Sequence, residues 1–132
     1  AIINGKNIVT CWGSGKPLRE FLHVDDLAEA SIFALEKWDL NKNDAPKDIY
    51  GNTLTFLNVG TGKDITIYEI ANLIAKHTGF KGEIIWDKTK PDGTPKKQLN
   101  VNRILNLGWS PKIKLEVGIR DTIFDYKSKF LN

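Results

Sequence analysis

A fifteen-residue stretch at 12–26, WGSGKPLREFLHVDD, constrains the fold more than any other part of the chain. It opens with a tight turn of glycines and proline, and it continues as an extended segment from Leu18 to Val24. It ends at two aspartates. We expect Asp25 to cap a helix that begins at Leu27, because aspartate is a favoured N-cap residue. A turn, a strand and the start of a helix therefore follow each other within fifteen residues.

The rest of the chain alternates between strand and helix patterns. A helix that starts at Thr66 has the clearest signals, because Thr66 and Glu69 form a capping-box motif and Gly79 supplies a stop. The other predicted elements are strands at 8–12, 54–59 and 83–86, helices at 25–38 and 115–130, a helical turn at 102–107, and loops at 39–53 and 87–98. This alternation predicts an α/β fold.

Length and composition favour one domain of ordinary size, since the chain has 132 residues, of which 41% are hydrophobic. The net charge of +3, from 19 basic and 16 acidic residues, is too small to indicate a nucleic-acid partner. No run approaches the ~20 apolar residues of a membrane span. The single Cys11 cannot form an internal disulfide, which favours a reducing cytoplasm. Because the chain lacks methionine and begins in the middle of a pattern, we interpret it as a piece of a longer polypeptide.

Within the 12–26 stretch, three side chains could contact a ligand: Trp12, Arg19 and His23. Arg19 is either half of a surface ion pair with Glu20 or a planar clamp on a phosphate. Trp12 is either an ordinary core residue or a flat wall for a base or a sugar. The lysines of the 87–98 loop would by default be solvated, but a stiff Pro-Asp-Gly-Thr-Pro tip is typical of loops that bind ligands.

Other catalytic and cofactor motifs are weak or missing. Gly60-Thr61-Gly62 resembles a phosphate-binding turn, but Ile65 stands where the third glycine of a dinucleotide fingerprint would fall. We therefore interpret this turn as a structural connection. None of the three tyrosines has a lysine four residues later, so the Tyr-x-x-x-Lys pair of a short-chain reductase is missing. One cysteine and two distant histidines supply little material for a nucleophilic triad or a metal site.

Four motifs together carry a family resemblance: WGSGKPLREFLHVDDLAEA at 12–30, NVGTG at 58–62, KPDGTPKK at 90–97 and LGW at 107–109. In order and spacing the chain resembles the GDP-L-fucose synthase family of extended short-chain dehydrogenases/reductases, from about residue 8 to residue 126. The WGSG-x-P-x-REF and KPDGTP motifs are close to diagnostic for this family. The REF-x-HV-x-D motif alone is shared more widely among nucleotide-sugar epimerases and dehydratases.

The resemblance implies roles for particular residues. Trp12, Arg19 and Asp92 match substrate contacts of the family, while Lys96 and Lys97 would add positive potential near the diphosphate. The Asp92 carboxylate would accept hydrogen bonds from hydroxyls or from the guanine edge. One departure from the family pattern is Asn100, where an acidic residue is expected; it puts a single local contact in doubt.

The resemblance also implies what the whole protein does. We expect 1–132 to be the carboxyl-terminal nucleotide-sugar-binding portion of an NADP-dependent enzyme that epimerises and reduces GDP-4-keto-6-deoxy-D-mannose to GDP-L-fucose. It would be a small mixed α/β substrate-binding domain without the Rossmann domain. By itself it would hold no catalytic, cofactor or metal site, bind no cofactor and be inactive. The full-length enzyme would be a homodimer that acts on a GDP-sugar, with no nucleic-acid or membrane partner.

Two alternatives stay open. The first is a fragment of another nucleotide-sugar epimerase or dehydratase, such as one that uses a UDP-sugar, although the Lys90–Pro95 loop argues against it. The second is a sugar-nucleotide-binding module without chemistry of its own.

Overall fold

The computed structural model describes residues 1–43 and 45–131 as a mixed α/β structure. The chain divides into two compact units, Ala1–Arg19 with Asp64–Gln98 and Lys114–Asn132, and Glu20–Lys63 with Leu99–Ile113. The elements in chain order are β1 (Ile8–Trp12), β2 (Leu18–Glu20), α1 (Val24–Lys37), β3 (Asp64–Thr66), α2 (Ile67–Thr78), β4 (Glu83–Asp87), β5 (Lys96–Lys97), α3 (Asn102–Asn106) and α4 (Leu115–Phe130). None of the helices in the described residues is both long and apolar enough to cross a membrane.

The first unit contains two short sheets. β1 and β4 pair in parallel from Ile8 opposite Glu83 to Trp12 opposite Asp87, as their β-branched and aromatic residues favour. A three-stranded sheet has the order β3-β2-β5, in which Leu18 lies opposite Lys96 and Arg19 opposite Lys97. β1, β4, α2 and α4 line an apolar cavity of about 580 Å³.

Helix α2 forms as its sequence predicts. The Thr66 hydroxyl accepts a hydrogen bond from the Glu69 amide at 3.0 Å, and the Glu69 carboxylate accepts one from the Thr66 amide at 2.9 Å. Gly79 ends the helix in the left-handed region, at φ 78°. The capping box and the glycine stop are confirmed, because both depend on residues that are close in the sequence.

The second unit has its own core, in which Ala30, Val101, Ile104 and Trp109 are buried. Asp26 lies beside it with only 2% of its surface exposed. Its two carboxylate oxygens accept hydrogen bonds from the amides of Lys112, at 3.1 Å, and Ile113, at 2.9 Å, so the buried charge is satisfied by the backbone.

The start of α1 differs from the prediction. The helix begins at Val24 rather than Leu27, and its N-cap is His23 rather than Asp25. The His23 Nδ1 accepts a hydrogen bond from the Asp25 amide at 3.3 Å, which places Asp25 inside the first turn. There its negative charge is favourable beside the positive end of the helix dipole. The extended segment is correspondingly shorter, because β2 ends at Glu20.

The predicted strand at 54–59 is wrong. This segment forms no strand in the described structure, and the nearby pairing is a single antiparallel bridge between Lys47 and Thr53. Within this segment, the Asn58 side chain donates a hydrogen bond to the Asn100 carbonyl at 3.2 Å. An apolar run becomes a strand only where a neighbouring strand receives its hydrogen bonds. The prediction for 87–98 errs in the opposite way: a loop was expected, but the segment includes the short strand β5.

Four of the remaining elements confirm the predictions, whereas the short strand β3 was not predicted. β1, β4 and α4 lie within one residue of the predicted bounds, and α3 is followed by Gly108 at φ 106°. These elements have strong local signals, either runs of β-branched residues or helical periodicity.

Candidate functional site

A turn between β1 and β2 forms one side of the candidate site. Gly13 and Gly15 adopt φ values of 82° and 75°, which residues with a Cβ rarely adopt. A Cβ on Gly15 would also lie 2.9 Å from the ring of Trp86. The Gly13 amide donates to the Asp87 carbonyl at 2.9 Å, and the Gly15 carbonyl accepts from the Tyr68 amide at 2.9 Å. The turn is therefore fixed at both ends by backbone hydrogen bonds.

The loop after β4, residues 88–95, lies against this turn through Asp92. The Asp92 Oδ1 accepts a hydrogen bond from the Ser14 amide at 2.7 Å, and the Oδ2 accepts one from the Ser14 hydroxyl at 2.6 Å. The bond from the Ser14 hydroxyl and then the bond from the Ser14 amide hold the pKa of the Asp92 carboxyl below its usual value. A Cβ on Gly13 would collide with Asp92 Oδ1, so only glycine leaves room for this contact.

Arg19 lies along the same loop. Its Nη1 donates to the Leu18 carbonyl at 2.6 Å and to the Thr94 carbonyl at 2.7 Å. Both acceptors are backbone carbonyls, so a surface ion pair is not the arrangement that the structure contains. No hydrogen bond of Arg19 Nε or Nη2 is found within residues 1–43 and 45–131, which leaves one edge of the guanidinium able to donate to an anion.

Trp12 is the exposed aromatic side chain of the site, with 73% of its surface accessible. It is therefore not a core residue, which was the structural alternative. The Lys90 Nζ lies over the indole, 5.6 Å from the ring centroid, in a cation–π contact. A flat, accessible ring beside a lysine is a surface on which a base or sugar can pack.

The two lysines of β5 have different surroundings. The Lys96 Nζ forms an ion pair with Asp64 at 3.2 Å, so part of its charge is compensated inside the protein. Lys97 is exposed, and no ion pair to it occurs in the described part of the chain. Of the two, Lys97 contributes the less compensated positive charge.

The structure thus places Trp12 and Arg19 in contact with the 88–95 loop that carries Asp92, and the β5 lysines follow this loop directly. Sequence reasoning missed Ser14, the partner of Asp92, and the contact of Lys90 with Trp12. An aspartate in a Pro-Asp-Gly turn normally bonds its own backbone, so nothing in the local sequence indicates a partner 78 residues away.

The chain is similar in sequence to known proteins. The model of the NAD-dependent epimerase/dehydratase family matches residues 1–50. The GDP-L-fucose synthase of Escherichia coli strain K12 is 49% identical over 118 residues, which are 86% of this chain and 34% of that protein. GDP-L-fucose synthase 1 of Arabidopsis thaliana is 41% identical over all 132 residues, 37% of its own length. The chain is similar to GDP-L-fucose synthases over nearly its whole length.

A solved structure gives the same result for the fold. A GDP-6-OMe-4-keto-L-xylo-heptose reductase from C. jejuni superimposes with a TM-score of 0.83 at 36% identity, over 93% of this chain and 33% of that one. The fold is thus that of part of an extended short-chain dehydrogenase/reductase, and the resemblance to GDP-L-fucose synthases is confirmed. The chain spans about a third of the length of the curated relatives it matches.

Other residues of the shared motifs, including Glu20, Gly60 and His23, have structural contacts in the second unit. The Glu20 carboxylate accepts hydrogen bonds from the amides of Gly62, at 2.5 Å, and Leu99, at 3.0 Å, and from the Thr61 hydroxyl at 3.2 Å. A Cβ on Gly60 would collide with the same carboxylate. His23 caps α1 through its Nδ1. No group of three or more His, Cys, Asp or Glu side chains among the described residues is arranged to hold a metal ion.

Proposed function

We propose that the chain is the nucleotide-sugar-binding part of an NADP-dependent GDP-L-fucose synthase, which epimerises and reduces GDP-4-keto-6-deoxy-D-mannose to GDP-L-fucose. The observation that carries this proposal is that one loop, residues 88–95, contacts both Trp12, through Lys90, and Arg19, through the Thr94 carbonyl. The same loop bonds to the turn through Asp92 and Ser14. The names of the relatives support GDP as the nucleotide.

Each side chain has a task in this proposal. The free edge of Arg19 donates to diphosphate oxygens, because a guanidinium presents planar, paired donors that match them. Trp12 packs flat against the base or the sugar. Lys97 adds positive charge near the diphosphate, and Lys96 adds less because Asp64 already pairs with it. Asp92 belongs to the site through its bonds to Ser14.

The cofactor of the proposed enzyme is NADP, which supplies the hydride for the reduction of the 4-keto group. The Gly60-Thr61-Gly62 turn does not fit its pyrophosphate. The Gly62 amide, which such a turn would offer to a phosphate, donates to Glu20, and a carboxylate at that position would repel an anion. We therefore assign no cofactor contact and no catalytic step to this turn. In the proposed enzyme two copies form a dimer in the cytoplasm.

Isothermal titration calorimetry of the chain with GDP, UDP and GMP tests the proposal. We expect saturable binding of GDP, weaker binding of UDP because the base differs, and weaker binding of GMP because Arg19 loses a phosphate. Arg19→Ala should weaken GDP binding at least tenfold, as loss of a charged hydrogen bond predicts. Lys63→Ala, in the turn interpreted as structural, is the control and should leave binding unchanged.

Two results would count against the proposal. Equal or tighter binding of UDP would favour an enzyme of UDP-sugars instead. A loss of GDP binding in Lys63→Ala without a loss in Arg19→Ala would move the site to the Gly60–Gly62 turn.

A further inference from the structure

We propose that Asp92 is a positioning residue whose carboxylate clasps Ser14 and thereby sets Trp12 and Arg19 for the nucleotide, rather than a residue that contacts the nucleotide itself. This inference rests on the proposed function. It assigns Asp92 a role different from the direct contact that the family resemblance implies.

The geometry of the carboxylate carries the proposal. Both oxygens already accept short hydrogen bonds from one residue, Oδ1 from the Ser14 amide at 2.7 Å and Oδ2 from the Ser14 hydroxyl at 2.6 Å. A two-point contact of this kind fixes orientation as well as distance. Glycine at position 13, with φ 82°, leaves the space that Oδ1 occupies, so the turn is shaped around the carboxylate.

Loop residues on either side of Asp92 contact Trp12 and Arg19. Lys90, two residues before Asp92, reaches over the Trp12 ring. Thr94, two residues after Asp92, supplies a carbonyl to Arg19 Nη1. The loop therefore contacts Trp12 through a residue before Asp92 and Arg19 through a residue after it. The clasp, which is the pair of hydrogen bonds from Ser14 to the Asp92 carboxylate, ties the loop tip to the turn. Its loss would let the loop tip move and would disturb both contacts.

The clasp is separate from what holds the sheet. β1 and β4 pair along Ile8–Trp12 and Glu83–Asp87 without any contribution from Asp92. The Gly13 amide bonds to the Asp87 carbonyl, so the base of the turn also stays in place without the clasp. We therefore expect a substitution at Asp92 to change nucleotide affinity much more than the stability of the fold.

The first experiment compares Asp92→Ala, Asp92→Asn, Ser14→Ala and the Ser14→Ala/Asp92→Ala double variant by calorimetry with GDP. Asp92→Ala should weaken binding about tenfold, the size of effect that loss of hydrogen bonds to a charged group produces. Ser14→Ala should weaken it, and the double variant should be no weaker than Asp92→Ala alone. Asp92→Asn should bind nearly as well as wild type, because its amide oxygen accepts from the Ser14 amide while its NH₂ donates to the Ser14 hydroxyl. Asp125→Ala, an exposed aspartate of α4, is the control.

The second experiment distinguishes positioning from direct contact by changing the ligand. Inosine diphosphate lacks the 2-amino group of guanine, and 2′-deoxy-GDP lacks the 2′-hydroxyl. Both missing groups are donors, and a carboxylate that contacts the nucleotide would accept hydrogen bonds from them. If Asp92 only positions, Asp92→Ala lowers the affinities for GDP and both analogues by the same factor. A preference for GDP that is present in wild type and disappears in Asp92→Ala would overturn the proposal, as would an Asp92→Asn variant as weak as Asp92→Ala.

The third experiment tests the clasp without any nucleotide. In wild type the Ser14 amide should exchange its hydrogen slowly, and Asp92→Ala should speed this exchange at least tenfold, since the amide loses its acceptor. Rapid exchange in wild type would overturn the clasp even if GDP binds. Protected exchange with no GDP binding would instead overturn the proposed function and, with it, the positioning role.

Discussion

In the proposed function, Arg19 combines two tasks in one side chain. Its Nη1 bonds to the carbonyls of Leu18 and Thr94, which fixes the guanidinium on the loop, while its other edge can donate to a phosphate. Lysine could carry the charge, but its single ammonium cannot present a planar pair of donors to a phosphate while it also bonds two carbonyls. The choice of arginine therefore follows from the geometry and not from charge alone.

We predict that Arg19→Lys weakens GDP binding, although it keeps the charge. Arg19→Ala should weaken it more, on the order of 1.5–3 kcal/mol, because a charged hydrogen-bonded contact is lost. Calorimetry at constant salt gives both values. Arg120→Ala, on the exposed side of α4, controls for a general loss of positive charge. Equal affinity of Arg19→Lys and wild type would mean that only the charge of Arg19 matters.

Trp12 should respond to salt differently from Arg19. Trp12→Ala removes packing rather than charge, so its loss of affinity should stay constant between low and high ionic strength. The loss in Arg19→Ala should shrink as salt rises, because screening weakens the wild-type contact. GDP titrations at about 0.05 M and 0.5 M salt span Debye lengths on either side of 10 Å and separate the two cases. A strong salt dependence of the Trp12→Ala effect would indicate that Lys90, which lies over the indole, is lost from the site with it.

At the scale of single elements, α2 and α4 show that local signals determine the ends of a helix, whereas tertiary contacts determine how it packs. The ends of α2 are determined by its capping box and by Gly79. The contact of α2 with α4 includes a charged cluster in which the Glu116 carboxylate accepts from Lys76 Nζ at 2.8 Å and lies 3.0 Å from His77 Nε2. The cap decides where the helix begins, and the cluster helps to decide what it packs against.

We predict that Thr66→Ala lowers the free energy of unfolding by about 1 kcal/mol, the usual value for a lost N-cap. Thr66→Ser retains the hydroxyl and should stay close to wild type. Urea unfolding of the three proteins measures the difference. A loss of the same size in Thr66→Ser would show that the methyl group matters rather than the cap.

The Glu116 cluster predicts a dependence of stability on pH. The bonds from Lys76 and then His77 hold the pKa of the Glu116 carboxyl below its usual 4.5. The folded protein therefore binds this proton less readily than the unfolded chain, so the stabilisation is present above pH 4.5 and is lost as pH falls through the lowered pKa. Wild type should be more stable than Glu116→Gln at pH 6, and the difference should shrink below pH 4.5.

Lys76→Met provides the control for this pH dependence, because it removes the largest cause of the lowered pKa. The pH dependence attributable to Glu116 should become smaller in that background. Thermal unfolding between pH 3 and pH 7 measures it. A difference between wild type and Glu116→Gln that is constant over this range would contradict the assignment.

At the scale of the whole molecule, the chain forms two compact units, each with its own organising contacts. In the first, the 13–17 turn and the 88–95 loop carry the candidate site beside two short sheets. In the second, the core of Ala30, Ile104 and Trp109 lies beside the buried Asp26. Asp26 joins α1 to the segment before α4 by two backbone hydrogen bonds, although 86 residues separate it from Lys112.

We predict that Asp26→Ala destabilises the second unit by about 2–4 kcal/mol, because it leaves the amides of Lys112 and Ile113 without their acceptors. Asp25→Ala is a matched control, one residue earlier on the same helix turn but exposed, and should cost much less. Urea unfolding followed by NMR signals of the second unit measures both. Similar losses in the two variants would mean that charge near the helix start, rather than the buried bonds, is responsible.

The sequence by itself determined the elements whose signals are local. The capping box of Thr66 and Glu69, the glycine stop at Gly79 and the helix Leu115–Phe130 were predicted because their determinants lie within a few residues of each other. The family resemblance predicted the site residues Trp12, Arg19 and Asp92, and the structure brings them together, while their binding roles stay predictions.

Only the tertiary structure decided the contacts that join distant parts of the chain. The run at 54–59 has a strand-like composition but forms no ladder, whereas the polar pair Lys96–Lys97 is a strand because Leu18 and Arg19 lie beside it. Asp92 bonds to Ser14 from 78 residues away. The physical reason is the same in each case. A hydrogen bond forms only where both partners meet, and the sequence around one partner does not show which distant residue supplies the other.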